Sequence, residues 1–267
     1  MKKKVLLAIC VLAIVVIACQ KVPITGRKQM SLISESEMIG MSLTSYAEFL
    51  SKNPPVAESD ANAKMVSKIG KDMQKAVEIF MAEKGLSSRL EGYQWEFHMV
   101  NENSVNAWCM PGGKVVVYSG LLPVTQTESG LACVMGHEIA HAVARHGNER
   151  MSQGLLVQVG GAALSVALSQ KPQLTQDLFL QSYGLTSQLG MLKYSRTHES
   201  EADKMGLVFM AIAGYDPNEA VAFWERMEQA SSGSKPPELL STHPSDATRI
   251  ADIKAFLPEA MKYYKKK

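Results

Sequence analysis

Gly136-His137-Glu138-Ile139-Ala140-His141 lies near the middle of a 267-residue chain. On a helix, His137 and His141 stand four residues apart, on one face and about one turn from each other. That spacing lets two imidazoles hold one metal ion. Glu138, next to the first histidine, can reach an activated water without occupying the metal. This is the H-E-x-x-H pattern of zinc hydrolases, two ligands plus a general base. Leu131, Val134, Met135, Ile139, Ala142 and Val143 recur at helical spacing around it and predict a helix from about Thr127 to Arg145. Two surface histidines on an ordinary amphipathic helix would give the same string, so a third ligand from elsewhere must decide.

Outward from this stretch, the first residues are not read as fold. Met1-Lys2-Lys3-Lys4 is a basic start, Val5 to Ile17 is apolar, and Ala18 is small: a secretory signal peptide over 1–18. Its core is short for a membrane span. The Val16-Ile17-Ala18-Cys19 ending resembles a bacterial lipobox, with Cys19 the lipidated residue. Gln20 after it resembles an outer-membrane sorting signal. Residues 19–33 carry Pro23 and Gly26, show little periodicity and are expected as a tether, leaving 34–267 as a single domain. The net charge of +2 argues against nucleic acid as the main partner. Cys109 and Cys133 stay after Cys10 and Cys19 are set aside; they either pair in a disulfide-permissive compartment or are small buried hydrophobes.

Along the chain, Ser34-Glu35-Ser36-Glu37 reads as a capping box opening a helix to about Leu50. A second amphipathic helix runs from about Asp60 to Lys84. Gln94–Val100, Asn106–Met110 and Lys114–Ser119 are strand-like, the last two joined by a turn at Pro111-Gly112-Gly113. Beyond the metal helix, Leu155–Leu168 is apolar nearly all round, a buried helix or a membrane contact. Further helices are expected over about 174–194, 197–213, 217–231 and 248–256, with a loop at Ser232–Pro237. The order is helices, a small sheet, then helices, an α+β domain.

For the third ligand, Ala144 and Gly147 stand where a metzincin would carry Gly and His, which excludes that branch. His146, five residues past His141, is expected to point away from the His137/His141 face. Glu199 and Asp203, four apart on one helix face, supply the alternative: a carboxylate ligand and an acceptor for the other ring N–H of a ligating histidine. Glu201 points elsewhere.

With these residues in place, the chain resembles the HtpX-type and CAAX-prenyl-protease-type family of zinc metallopeptidases, most of all its small bacterial lipoprotein branch (LoiP-like, without the C-terminal repeat domain of BepA-like members). Thr25-Gly26-Arg27, Asn106-Ala107-Trp108 with Pro111-Gly112-Gly113, and His137 to His141 carry the likeness. So do Tyr194-Ser195-Arg196, Glu199 to Asp203, Ala213-Gly214-Tyr215-Asp216-Pro217, and Thr242-His243-Pro244 with Arg249. Trp108 and Cys109 depart from it, since relatives often have Phe and a small or aliphatic residue there. The resemblance implies a mostly helical, gluzincin-like α+β metalloprotease domain with a small sheet beside the metal helix. It implies one Zn2+ held by His137, His141 and Glu199, with Glu138 as base and Asp203 behind the ligands. His243, with Arg249, is a candidate latch on the metal or oxyanion donor.

The Asn106-Ala107-Trp108-Cys109 strand would be the sheet edge beside the cleft, where an extended substrate adds through main-chain bonds. That recognition reads backbone rather than side chains, so misfolded or unassembled envelope proteins are the expected substrates and partners. The expected place is the periplasmic face of a membrane, the outer one, reached through the lipid on Cys19. A chaperone-like assembly factor for outer-membrane proteins with little proteolysis stays open as an alternative, as does a zinc hydrolase of non-peptide bonds.

Overall fold

The computed structural model of the protein describes residues 19–159, 172–183, 195–231, 237–243 and 248–265. The leader at 1–18, the later part of the apolar run, residues 184–194 and most of the Ser232–Pro237 loop lie outside these.

Residues 19–33, expected as a tether, fold as a hairpin. Strand β1 (Cys19–Lys21) pairs antiparallel with β2 (Lys28–Met30). The left-handed Gly26 (φ 66°) permits the tight turn between them. Val22 is buried, and the Gln29 Nε2 donates to the Ala144 carbonyl at 2.8 Å. Sequence periodicity missed this segment because each strand is only three residues long.

Helix α1 (Glu35–Lys52) opens with the expected capping box between Ser34 and Glu37. In α2 (Ala61–Glu83), Asp60 caps the N-terminus, and Val66, Ile69, Met73, Val77 and Phe80 form the buried face. Three strands follow: β3 (Glu96–Val100), β4 (Ala107–Met110) and β5 (Lys114–Tyr118), in the order β3-β5-β4. The turn pairs β4 and β5 antiparallel, with Trp108 opposite Val116, while β3 joins β5 in parallel. Strand β4 is therefore an edge.

Alternation along the strands divides the sheet between two cores. Ala107, Cys109, Val115 and Val117 join α2 and the metal helix α3 (Glu128–Ala144) in the larger one. Trp108, Met110 and Val116 face the other way, under α1, α4 (His146–Val159) and α5 (Pro172–Ser182). Trp108 stands edge-on to Phe49 at 5.0 Å and is a core residue. Helix α4 starts earlier than the apolar pattern indicated; it buries Met151 and Leu155 and exposes Leu156 and Val157. Among the described residues no helix is long and apolar enough to cross a membrane.

Helix α6 (Arg196–Ile212), capped by Ser195, packs along α3, and α7 (Glu219–Ser231) and α8 (Arg249–Ala260) close the far side. The fold is α+β, mostly helical, with a small sheet beside the H-E-x-x-H helix, as expected. Cys109 and Cys133 are both buried free thiols, so the small-hydrophobe alternative holds and the disulfide does not.

Candidate metal centre

Two elements place the central side chains. Helix α3 presents His137, Glu138 and His141, all buried; α6 presents Glu199 and Asp203 across a close helix contact. His137 Nε2 lies 3.1 Å from His141 Nε2, and Glu199 oxygens lie 3.4 Å from each of these nitrogens. A further segment, residues 237–243, brings in His243, whose Nδ1 is 3.2 Å from His137 Nε2 and 3.1 Å from Glu199 Oε1. His137, His141, Glu199 and His243 thus offer four buried donor atoms within 4.8 Å of one another.

These donors fit a metal ion on their own chemistry. Asp203 Oδ1 accepts from His137 Nδ1 at 2.9 Å, and His146 Nδ1 is 3.0 Å from His141 Nδ1. With those outer nitrogens carrying the protons, both inner Nε2 atoms present bare lone pairs to each other. Only a cation or a shared proton relieves that repulsion. Glu138 Oε1 is a buried oxygen without a hydrogen-bond donor, again oriented for a cation or a water.

Electrostatics keep the roles apart. Burial raises the Glu138 carboxyl above the ordinary carboxylate range, as suits a base that must hold a proton. Burial works against ionised Glu199, but His243 and Arg249 outweigh it and hold that carboxyl well below the ordinary range. For His137, the hydrogen bonds to Asp203 and Glu199 overcome burial and raise the imidazole to about 9. Burial drives His141 well below its ordinary value and His146 down to about 4, so both are neutral at pH 7.

Arg249 ties the far side together. Its Nε and Nη2 grip Asp203 at 2.9 and 2.7 Å, its Nη1 stands 3.1 Å from Glu199, and its guanidinium lies 3.4 Å over the Trp224 ring. Trp224 also meets the His137 ring edge-on at 5.8 Å. In the sequence Trp224 was only one more apolar position of α7.

His146 departs from expectation. Arg145 adopts a left-handed backbone (φ 62°), ends α3 and restarts the chain as α4. The turn swings His146 back against His141, where a continuing helix would have sent it away. Arg145 is fastened there by Gln20 and Glu35, at 2.7 and 2.9 Å.

Asn106, Ala107, Trp108 and Cys109 line a narrow cleft with Glu138, Thr242 and His243. The β4 edge is beside the donors; Thr242 and His243 line the cleft with it, and Leu239 donates its N–H to the Val105 carbonyl, just before β4, at 3.1 Å.

Comparison with known proteins agrees with this geometry. Mitochondrial metalloendopeptidase OMA1 of Schizosaccharomyces pombe is 40% identical over 174 residues, covering 65% of this chain and 50% of the relative. The Homo sapiens OMA1 is 32% identical over 248 residues, covering 90% and 46%. The β-barrel assembly-enhancing protease of Escherichia coli is 33% identical over 165 residues, covering 60% and 34%. The chain spans about half or less of the length of these relatives. Residues 68–257, which take in every donor and both helices that carry them, match peptidase family M48 as a whole, and the chain belongs to that family of metallopeptidases.

Proposed function

We propose that the protein is a zinc-dependent endopeptidase of the bacterial cell envelope, lipid-anchored through Cys19, acting on misfolded or unassembled proteins. The observation that carries the chemistry is the convergence of His137, His141 and Glu199 beside the unsatisfied carboxylate of Glu138. These three side chains would hold the zinc. When bound there, zinc supplies Lewis-acid polarisation of a carbonyl and a lowered water pKa. Glu138 takes the proton from the attacking water and delivers it to the amine leaving group. Asp203, gripped by Arg249, fixes the His137 tautomer that leaves Nε2 free for the metal.

Recognition is assigned to β4. An extended chain laid along Ala107–Met110 would continue the sheet and bring a peptide carbonyl to the mouth of the site, and main-chain pairing there is indifferent to sequence. The cell-envelope setting rests on the leader, the lipobox-like ending and the likeness to a protease named for β-barrel assembly; the OMA1 relatives are named as mitochondrial, so likeness alone leaves the membrane open.

His243 seated among the donors favours a second reading of the resting state. We assign it as a latch: in the closed arrangement it completes a four-donor set, and substrate biases residues 237–243 open. A protein that spends most of its time closed would behave as an assembly factor with little proteolysis. Comparing envelope proteomes of wild type and Glu138→Gln decides between them. Accumulation of intact, incompletely assembled proteins with the variant supports the peptidase, and identical proteomes would overturn it. Casein cleavage abolished by chelator and restored by zinc tests the metal.

A further inference from the structure

A second buried set of charged and polar groups lies behind His141, on the side away from the cleft. His146 is fully buried. Its Nδ1 is 3.0 Å from His141 Nδ1, and its Nε2 is 3.1 Å from Glu201 Oε2. Glu201 is itself 2% exposed and lies on the turn of α6 that starts from Glu199. The hairpin grips Glu201 from outside: Arg27 donates from Nε at 2.9 Å and Nη2 at 3.0 Å, and Thr25 Oγ1 donates at 2.5 Å. Arg27 also forks onto Glu149 at 2.8 and 2.7 Å. Glu149 accepts from His198, whose ring stacks on His146 at 4.6 Å.

The proton positions along this chain follow from the partners. Glu201 is a carboxylate beside Arg27, so it accepts, and His146 Nε2 must carry the hydrogen. His141 turns Nε2 towards His137 and Glu199, so its ring hydrogen sits on Nδ1, and the facing His146 Nδ1, 3.0 Å away, accepts it.

We propose that His146 is a positioning residue for the metal ligand His141, and that Arg27 of the N-terminal hairpin holds this His141-His146-Glu201 relay in place. The relay is the counterpart, for the second histidine, of Asp203 and Arg249 behind the first. It differs in origin, since its outermost clamp comes from the segment directly after Cys19. The grip on the metal thus depends on a hairpin that begins at the candidate lipid anchor. The inference rests on the reading of the metal centre given above and deepens it.

The test measures zinc affinity of the detergent-extracted full chain by chelator competition, with Co2+ absorption as a probe of ligand geometry and circular dichroism as a check on folding. His146→Leu keeps an apolar filler of similar bulk and removes the acceptor; zinc binding should weaken about 10–100-fold, the range for supporting partners of metal ligands. His146→Asn restores an acceptor near Nδ1 and should recover most of that loss. Arg27→Gln, at the partly exposed end, should give a smaller loss. In the double variant with His146→Leu it should add nothing, because both act through one chain. A role confined to packing predicts wild-type zinc affinity and an unchanged Co2+ spectrum in His146→Leu, with only thermal stability lowered, and that result overturns the proposal. So does Asn no better than Leu, or losses that multiply in the double variant. If His146→Leu does not fold, Arg27→Gln decides, and an unchanged affinity there overturns the proposal. Failure of the wild type to bind zinc would overturn the metal reading itself, an outcome distinct from zinc binding that ignores His146.

Discussion

Gly136 and Gly206 bring the two ligand-bearing helices into backbone contact. A Cβ on Gly206 would lie 2.9 Å from the His137 backbone nitrogen, and one on Gly136 would lie 3.0 Å from the Gly206 carbonyl oxygen. No flexible side chain stands between them to give way. The distance between His137 on one helix and Glu199 on the other is thus set by two missing side chains. Gly206→Ala should cost about 1–3 kcal/mol of stability, as overpacking does, and weaken metal binding as well. Thermal unfolding with and without zinc checks both effects; an unaltered Tm in both conditions would refute the contact.

Glu138→Gln should keep zinc, because all three proposed ligands remain, and lose peptidase activity by at least about 100-fold, the usual weight of a general base. His137→Ala, His141→Ala and Glu199→Ala should lose the metal as well. Metal content by mass spectrometry alongside casein cleavage separates the two classes. Near wild-type cleavage by Glu138→Gln would remove it from the role of base.

His243→Ala should raise activity on unfolded substrate if the residue is a latch, since the competing imidazole is gone. If it is instead an oxyanion donor, activity should fall about 100-fold or more. Initial rates on a denatured reporter distinguish the two, and an unchanged rate counts against both.

The Glu149 carboxyl gives a pH signature. Burial opposes its ionisation, but hydrogen bonds from Arg27 and His198 more than offset that and hold it at about 2, against an ordinary 4.5. A folded-state value below the unfolded one stabilises above the unfolded value and is lost as pH falls from 4.5 towards 2. The full shift corresponds to ~3 kcal/mol, reduced to about 1–2 because Arg27 is partly exposed. Urea unfolding between pH 5 and 2.5 should show this loss in the wild type and a flatter profile in Glu149→Gln.

Lipidation at Cys19 has its own measurement. Membrane-extracted protein should carry an acylated N-terminal Cys19, and Cys19→Ala should be released or left unprocessed. A wild-type chain recovered in the aqueous fraction and starting elsewhere would end the lipoprotein reading.

The sequence was most legible where chemistry and periodicity coincide. His137 and His141 share one helix face and Glu199 with Asp203 another, so spacing made them candidates, and the resemblance to zinc metallopeptidases joined the two pairs into one site. The helix at 61–83 was plain from its spacing. What was hidden depended on single backbone angles or on distant partners. Nothing in the residue pattern marks Arg145 as left-handed, so His146 was aimed the wrong way. Arg27 and Trp224 look like a surface cation and a core aromatic until the chain folds them against Glu201 and Arg249. The hairpin at 19–30 is too short for its alternation to register.

Residues 237–243 are bonded to the chain just before β4, line the cleft beside that edge and carry His243 into the donor set, so one displacement would open the cleft and free the donors together. A polypeptide that competes for the edge would then be the one that frees the metal donors. Its apparent affinity would be its intrinsic affinity scaled by the fraction of time this segment stands open. Such an enzyme would grade its clients by their spare pairing capacity: a protein whose strands are already engaged has nothing to offer the edge. Sparing of finished proteins would then need no cleavage motif, and the proofreading would reside in the cost of opening.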